Sequence, residues 1–269
     1  MTENTHELSS YADVIAALTD PALAPVPPPE TRPDATRAEP GTAAWLRANV
    51  ARFASGPTHA RRRAIVEADL AGIDAESLRR VVRLAGDGDG DVRLIAVAAL
   101  AEALGLDDGR AAARDVLLVA GVYFGGDRAE ADAAVARLVD AFRAVDPDAD
   151  LETVANRIGL LVQACDATES LVARACKQSP PHDDVDALLA ATLRNDPPVR
   201  TMRRVALRET HIAGIDIAAG DLVTLDIATA SLDPHAAAAP ALTFGAEPRR
   251  CPGSPHALAL AAGILEENR

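Results

Sequence analysis

Cysteine is scarce in this chain, whose 269 residues contain only Cys165, Cys176 and Cys251. An odd and sparse set of this kind excludes a disulfide framework. The sequence also lacks any apolar run of about 18 residues, so no transmembrane helix is predicted. Its polar first residues lack the apolar segment of a secretory signal peptide. These absences together predict a reduced, cytoplasmic protein.

Aromatic residues make up only 3% of the chain, whereas alanine is abundant and the hydrophobic fraction reaches 49%. The alanine favours helices, and the hydrophobic fraction excludes a disordered chain. The net charge of −13 argues against nucleic acid and against an anionic membrane as partners. The length suits one full core, so we predict a single domain over residues 1–269, in which residues 1–40 form a helix and a proline-rich connector.

Apolar periodicity predicts a mainly helical fold with a small β-sheet late in the chain. Apolar positions that recur every three to four residues predict helices over residues 11–18, 41–54, 58–70, 75–84, 91–104, 111–124, 128–143, 151–177, 184–194 and 257–267. Shorter runs punctuated by glycine predict strands over residues 204–207, 215–217 and 222–227. Prolines exclude a helix over residues 21–40 and predict an extended connector there.

The most distinctive motif is the segment FGAEPRRCPG, residues 244–253, which precedes the last predicted helix. A helix that begins near Cys251 points its unpaired N–H groups at the sulfur, which lowers a thiol pKa and favours the thiolate that binds metals. Pro252 fits the first helical position, and Arg249 suits bidentate capture of a carboxylate. A buried structural cysteine is the alternative.

This loop resembles the haem-ligand loop of the cytochrome P450 family, written F-G-x-G-x-[H/R]-x-C-x-G. The chain as a whole is similar to a shortened, divergent bacterial-type member of that family, which implies a truncated P450-like fold. The resemblance implies haem b with Cys251 as the axial thiolate ligand of the iron, Phe244 packed beside it, Arg249 on a haem propionate, and Gly253 as a matched loop position. Glu247 departs from the pattern because the family has glycine there.

Two further segments resemble parts of the family that bind the haem propionates. His59 and Arg63 match the H-x-x-x-R of the family's C helix, and their spacing places both on one helix face. Arg204 matches an arginine in the segment after the K helix. The resemblance implies that all three contact the propionates, and a solvated basic face is the alternative for the first pair.

Residues 161–168, LVQACDAT, resemble the I-helix motif [A/G]-G-x-[D/E]-T-T. Asp166 matches the acid and Thr168 matches the second threonine, whereas Ala167 replaces the first threonine. The resemblance implies that Asp166 and Thr168 are catalytic and guide protons to bound oxygen. A buried helix with one polar stripe is the alternative.

The chain also departs from the family. In the E-x-x-R ion pair of the K helix, Arg194 matches the arginine but Ala191 stands at the glutamate position. Because a buried arginine without its acid is costly, we expect either a different acid or a solvated Arg194. Only nine residues separate Pro234 from Phe244, which is short for this family. The N-terminal sheet region and the C-terminal sheet elements are also expected to be missing.

The resemblance implies a P450-type monooxygenase that oxidises a small organic molecule with electrons from a ferredoxin-type partner. Basic residues near the cysteine, Arg203, Arg249 and Arg250, suit an acidic redox protein. One alternative is a haem-binding protein that is not an oxygenase. Another is a haem-free, degenerate homologue that acts as a partner or activator of another enzyme. The shortened chain also predicts exposed apolar surface, and hence a dimer or a protein partner.

Overall fold

The computed structural model describes residues 4–28, 39–85, 90–126, 128–178, 184–236 and 239–267. Over these residues the chain is mainly helical and carries two small β-sheets, which confirms the predicted class. Its internal contacts divide it into two compact units. The sheet unit comprises Met1–Val26 and Ala173–Ser254, and the helical unit comprises Pro27–Val172 and Pro255–Arg269. The prediction of a single domain stays a prediction.

The predicted helices are confirmed, with ends that differ by a few residues. The helices are α1 (Tyr11–Thr19), α2 (Ala43–Asn49), α3 (Gly56–Ala71), α4 (Ala75–Ala85), α5 (Val92–Ala103), α6 (Gly109–Ala120), α7 (Ala129–Val145), α8 (Leu151–Ala175), α9 (Val185–Asn195), α10 (Ile227–Ser231) and α11 (Ser254–Glu267). Among the described residues, none of them is both long enough and apolar enough to cross a bilayer. Only α10 has no counterpart in the predicted pattern.

The strands include three that the apolar pattern does not predict, over residues 5–8, 23–25 and 210–212. The strands are β1 (Thr5–Leu8), β2 (Leu23–Pro25), β3 (Thr201–Ala206), β4 (Thr210–Ile212), β5 (Ile215–Ile217) and β6 (Leu222–Asp226). Within the predicted proline-rich connector, β2 is extended as expected, and residues 29–38 lie outside the described residues.

The segment 41–54 shows how one distant side chain changes a predicted helix. Helix α2 ends at Asn49 because Val50 adopts extended backbone angles, φ −92° and ψ 154°. Asn156 on α8 accepts a hydrogen bond from the Ala51 N–H at 2.8 Å and donates one to the Asn49 carbonyl at 3.1 Å. Asn156 therefore satisfies backbone groups that the interruption would otherwise leave unpaired in a buried place.

The main sheet of the sheet unit has the strand order β1-β6-β3-β2. β1 runs parallel to β6, and the other pairs are antiparallel. The expectation that the N-terminal sheet region is missing is therefore wrong, because β1 and β2 form the two edges. β4 and β5 form a separate hairpin. The apolar faces of the strands and of α1 bury a common core that includes Leu8, Val14, Leu23, Val223 and Leu225.

Strand β1 is held in place by the side chain of Asp221, which is buried at the start of β6. Its carboxylate accepts hydrogen bonds from the N–H groups of Asn4 and Ala218, each at 3.1 Å, and lies 3.0 Å from Nε2 of His6. These bonds, the one to His6 first, hold the pKa of Asp221 below its ordinary range. A short polar segment thus becomes a strand because of a residue far along the chain.

Ion pairs and close backbone contacts hold the helices of the helical unit together. Arg157 on α8 pairs with Asp69 of α3 at 3.1 Å and with Asp146, which follows α7, at 2.8 Å. Helix α11 approaches α4 so closely at Gly263 that a Cβ there would lie under 3.0 Å from the carbonyl oxygen of Arg79. Glycine is therefore required at that crossing.

Candidate functional site

The cysteine loop is closed by a hydrogen bond between its two ends. The N–H of Cys251 donates to the carbonyl of Phe244 at 2.7 Å. Before this closure the chain turns at Gly245, whose φ of 73° lies in the left-handed region that favours glycine. The N–H of Gly245 donates to the carbonyl of Leu242 at 2.8 Å. The glycine that follows Phe244 in the motif is therefore explained by this local turn.

A tight turn forms at the tip of the loop, although Glu247 stands where the resemblance has glycine. The N–H of Arg249 donates to the carbonyl of Ala246 at 3.0 Å and closes a four-residue turn. The peptide bond between Glu247 and Pro248 within this turn is cis. Glu247 is exposed at this tip.

Cys251 is half-buried and outside any disulfide. The expectation that Pro252 takes the first helical position is wrong, because Pro252 and Gly253 form a turn and α11 begins at Ser254. Cys165, in contrast, is fully buried on α8, and its burial raises the pKa of its thiol to about 12. Cys165 therefore fits the description of a structural cysteine, and Cys251 is the better placed of the two for ligand binding.

The sheet unit also places a buried arginine in the strand next to β6. Arg204 lies in β3 and is only 5% exposed, and its Nη1 donates to the carbonyl of Arg203 at 3.0 Å. Phe244 and Arg249 are half-buried on the cysteine loop itself. Its guanidinium is a planar fork of N–H donors, the geometry that matches a carboxylate.

The predicted propionate-binding pair lies at the start of α3 in the helical unit. His59 is half-buried in the first turn, where its N–H donates to the carbonyl of Ser55 at 3.3 Å. Arg63 Nε donates to Oε1 of Glu67 at 2.7 Å, one turn further along the same helix. The side chain of Glu67 is 50% exposed, so this pair is in contact with water.

The most tightly held arginine of α3 is one that the motif does not include. Arg62 is buried, and it donates to Oε1 of Glu152 at 2.8 Å and to the carbonyl of Ala48 at 2.8 Å. Arg61 forms a bidentate pair with the same carboxylate, at 2.8 and 2.9 Å. The bond from Arg61 is the largest cause that lowers the pKa of Glu152 to about 2. An amphipathic pattern cannot identify this pair, because its acid is about 90 residues away.

The two predicted catalytic residues of α8 lie on different faces of the helix. Thr168 is only 1% exposed, and its Oγ1 has no hydrogen-bond partner among the described residues. Asp166 is exposed and lies within 3.7 Å of the Cys165 thiol. Because residues two positions apart on a helix point about 200° apart, the structure does not bring this carboxylate and this hydroxyl together.

Arg194 is solvated, which decides between the two expectations for the E-x-x-R position. It is exposed in the last turn of α9, with no hydrogen bond or ion pair to a described residue. The nearby acid Asp196, just after α9, pairs with two other arginines. These are Arg174 and, at 2.7 Å, Arg200. The sequence motif gives no sign of this second network.

Comparisons with known proteins give a consistent result for the fold. No protein-family model matches the sequence, and no curated protein matches it. Among solved structures, CalO2 aligns over 97% of this chain and 82% of its own, with a TM-score of 0.77 and 21% identity. P450BioI, solved in complex with a fatty-acid-ligated acyl carrier protein, aligns with a TM-score of 0.75 and 18% identity over 97% of this chain and 83% of its own. EryK from S. erythraea aligns with a TM-score of 0.68 and 22% identity over 97% of this chain and 81% of its own. The chain therefore has a cytochrome P450-like fold.

Proposed function

On this P450-like fold, we propose that the chain is a haem-thiolate protein that oxidises a small organic molecule with electrons from a ferredoxin-type partner. The observation that carries the proposal is Cys251, a half-buried cysteine outside any disulfide at the end of a hydrogen-bonded loop. Backbone hydrogen bonds close the loop around it, so the loop does not depend on a disulfide. A thiolate at this position is the one protein group that the iron would require.

The chain offers suitable side chains to hold the remainder of haem b. Arg204 and Arg249 would bind propionates from the sheet unit, with Phe244 beside the cysteine and Gly253 allowing the backbone close approach. When bound, haem with a thiolate ligand supplies oxygen activation, because the thiolate donates electron density that favours O–O cleavage. A buried guanidinium and a half-buried thiol are the donor types that this group requires.

His59 and Arg63 would bind a propionate from α3. Arg63 already pairs with Glu67, whose side chain is 50% exposed. Exposed pairs of this kind contribute about 0.2–1 kcal/mol, so a propionate can displace Glu67 at small cost. Arg61 and Arg62 are held by Glu152 and are not part of this assignment.

Thr168 would be the proton-handling group on α8, and Asp166 would exchange protons with water. A buried hydroxyl without a partner costs about 1–3 kcal/mol, so Thr168 Oγ1 is a site where a ligand or a water molecule would recover a hydrogen bond. Asp166 is exposed and can take up protons from solvent. The proton path between them would have to pass through water or a substrate hydroxyl.

The electron donor would dock near Arg203, Arg249 and Arg250, in keeping with the charge complementarity that steers redox proteins. P450BioI was solved with an acyl carrier protein, so a protein partner on this fold has a precedent. We place the protein in the cytoplasm.

The test is the reduced, carbon monoxide-bound absorption spectrum of the full-length chain expressed with a haem precursor. We expect the red-shifted Soret band of thiolate-ligated haem in the wild type and in the matched control Cys176→Ala, whose cysteine is exposed. Cys251→Ala should lack that band. A band that persists in Cys251→Ala would show that the ligand assignment is wrong.

Two observations favour the alternatives, and each has its own experiment. Asp166 and Thr168 lie on different helix faces, which favours a haem-binding protein that is not an oxygenase. Substrate turnover with a surrogate ferredoxin system separates that protein from a monooxygenase. The solvated Arg194, which lacks its acid because Ala191 stands at the glutamate position, favours a haem-free homologue that assists another enzyme. Failure of the wild type to retain haem would select this last alternative.

A further inference from the structure

The sheet unit contains a pocket of about 440 Å³ beside the carboxyl end of α9. Its lining includes Ala191 and Arg194 of α9 and the segment around Pro240 and Leu242. Pockets of about 300–1,000 Å³ are the ones that hold small ligands. This pocket is therefore large enough for a small molecule, and its described lining belongs entirely to the sheet unit.

In the described lining of this pocket, Arg194 carries the one charged side chain and Ser231 the one hydroxyl. Alanine, proline and leucine side chains provide most of the described lining, and no aspartate or glutamate takes part. The hydroxyl of Ser231 also reaches the wall, but it donates its proton to the carbonyl of Ile227 at 2.7 Å. Ser231 can therefore only accept a further hydrogen bond. An anion in the pocket would face Arg194 without a like charge in the described lining.

Arg194 has the donors that this environment calls for. It is exposed at the end of α9 and has no hydrogen bond or ion pair to a described residue. Its planar guanidinium matches a carboxylate with two parallel hydrogen bonds. Ala191, one turn earlier on the same helix, also lines the pocket, so no acid of the chain stands at the position that would pair with Arg194.

We propose that this pocket binds a small monocarboxylate with a compact apolar body. The carboxylate pairs with Arg194, and the apolar body packs between Ala191 and the wall that contains Pro240 and Leu242. The inference goes beyond the proposed function and does not rest on it, because Cys251 and the other assigned haem-binding residues are not in the lining. A chain without haem would bind the same ligand.

The test titrates the full-length chain with sodium benzoate, which combines a carboxylate with a compact ring. Isothermal titration calorimetry should give one site with a dissociation constant on the order of 1 mM, typical of a ligand of this size. Benzamide, the neutral analogue, should bind about two- to fivefold more weakly, since pairing with an exposed arginine is worth about that factor.

Three variants locate the site. Arg194→Gln should weaken benzoate binding about two- to fivefold, whereas Arg208→Gln, the same change at an exposed arginine outside the lining, should leave it unchanged. Ala191→Glu should abolish binding, because the new carboxylate pairs with Arg194 and occupies the pocket. The proposal is overturned if benzoate does not bind at about 20 mM, if benzamide binds equally well, or if the two arginine variants behave alike.

Discussion

The pair between α3 and α8 gives a quantitative prediction, because its carboxylate has a large pKa change and a buried partner. Glu152→Gln keeps the shape of the side chain and removes its charge. Arg62 then remains buried with its bonds to backbone carbonyls but without its acid. The fall in the pKa of Glu152 from 4.5 to about 2 corresponds to an upper limit of about 3 kcal/mol.

The bond from Arg61 is the largest cause of that lower pKa, but water screens it. The side chain of Arg61 is 59% exposed, so its pair with Glu152 is worth about 0.2–1 kcal/mol. The side chain of Arg62 is only 9% exposed, and leaving it without an acid costs more. We therefore expect Glu152→Gln to lower the free energy of unfolding by about 2 kcal/mol at pH 7.

The assay is equilibrium urea unfolding of the full-length chain, followed by the circular dichroism of its helices, with midpoints compared at equal slopes. The matched control is Glu67→Gln, which removes the exposed acid paired with Arg63 and should cost less than about 0.5 kcal/mol. Equal losses for Glu152→Gln and Glu67→Gln would refute the role of burial in this argument.

The same variant has a defined pH dependence. The pKa of Glu152 is lower in the folded chain than in the unfolded chain. Its contribution to the free energy of unfolding is therefore complete above about pH 4.5 and is lost as the pH falls toward about 2. At about pH 3 the difference between wild type and Glu152→Gln should be less than half of its value at pH 7. A difference that stays constant across this range would show that packing, and not charge, is what the substitution removes.

Two further predictions follow from packing. Gly263→Ala should lower the free energy of unfolding by about 1–3 kcal/mol despite the better helix propensity of alanine, since its Cβ would meet the backbone of Arg79. The control is Gly121→Ala, where a Cβ would lie 3.6 Å from its nearest atom. Urea unfolding should show this control to be nearly neutral. A native-state maleimide reaction monitored by mass spectrometry should modify exposed Cys176 and spare buried Cys165, whose raised pKa also disfavours the thiolate; modification of Cys165 at an equal rate would contradict its burial.

The helices could be predicted from the sequence because their signals are local. Apolar periodicity and acidic N-caps such as Asp91 and Asp184 define most of their limits, and both side chains accept the expected backbone hydrogen bonds. The division after α2 could not be predicted, because it depends on Asn156 from a distant helix. Strand β1 could not be predicted for the same reason, since its polar sequence becomes a strand only when Asp221 and β6 are present.

The site shows the same limit. The Phe-Gly turn and the position of Cys251 before the last helix follow from residues that are adjacent in the chain. The motif around Asp166 and Thr168 also identifies a helix correctly, but spacing alone places the two side chains on different faces. The pairing of Arg62 with Glu152 depends on tertiary contacts and carries no local pattern.

The missing acid at residue 191 bears on both proposals, and its effect on each is different. If the K-helix ion pair were the only support for the cysteine loop, Ala191 would argue against a held thiolate. The loop has other support: the N–H of Val199, just after α9, donates to Oγ1 of Thr243 at 3.1 Å, and the loop ends are bonded to each other. Loss of the acid therefore leaves the loop anchored, while it leaves Arg194 without an acid of α9 as its partner. A haem-thiolate function and a carboxylate pocket are thus compatible in one chain, and Ala191→Glu should close the pocket without removing the Soret band.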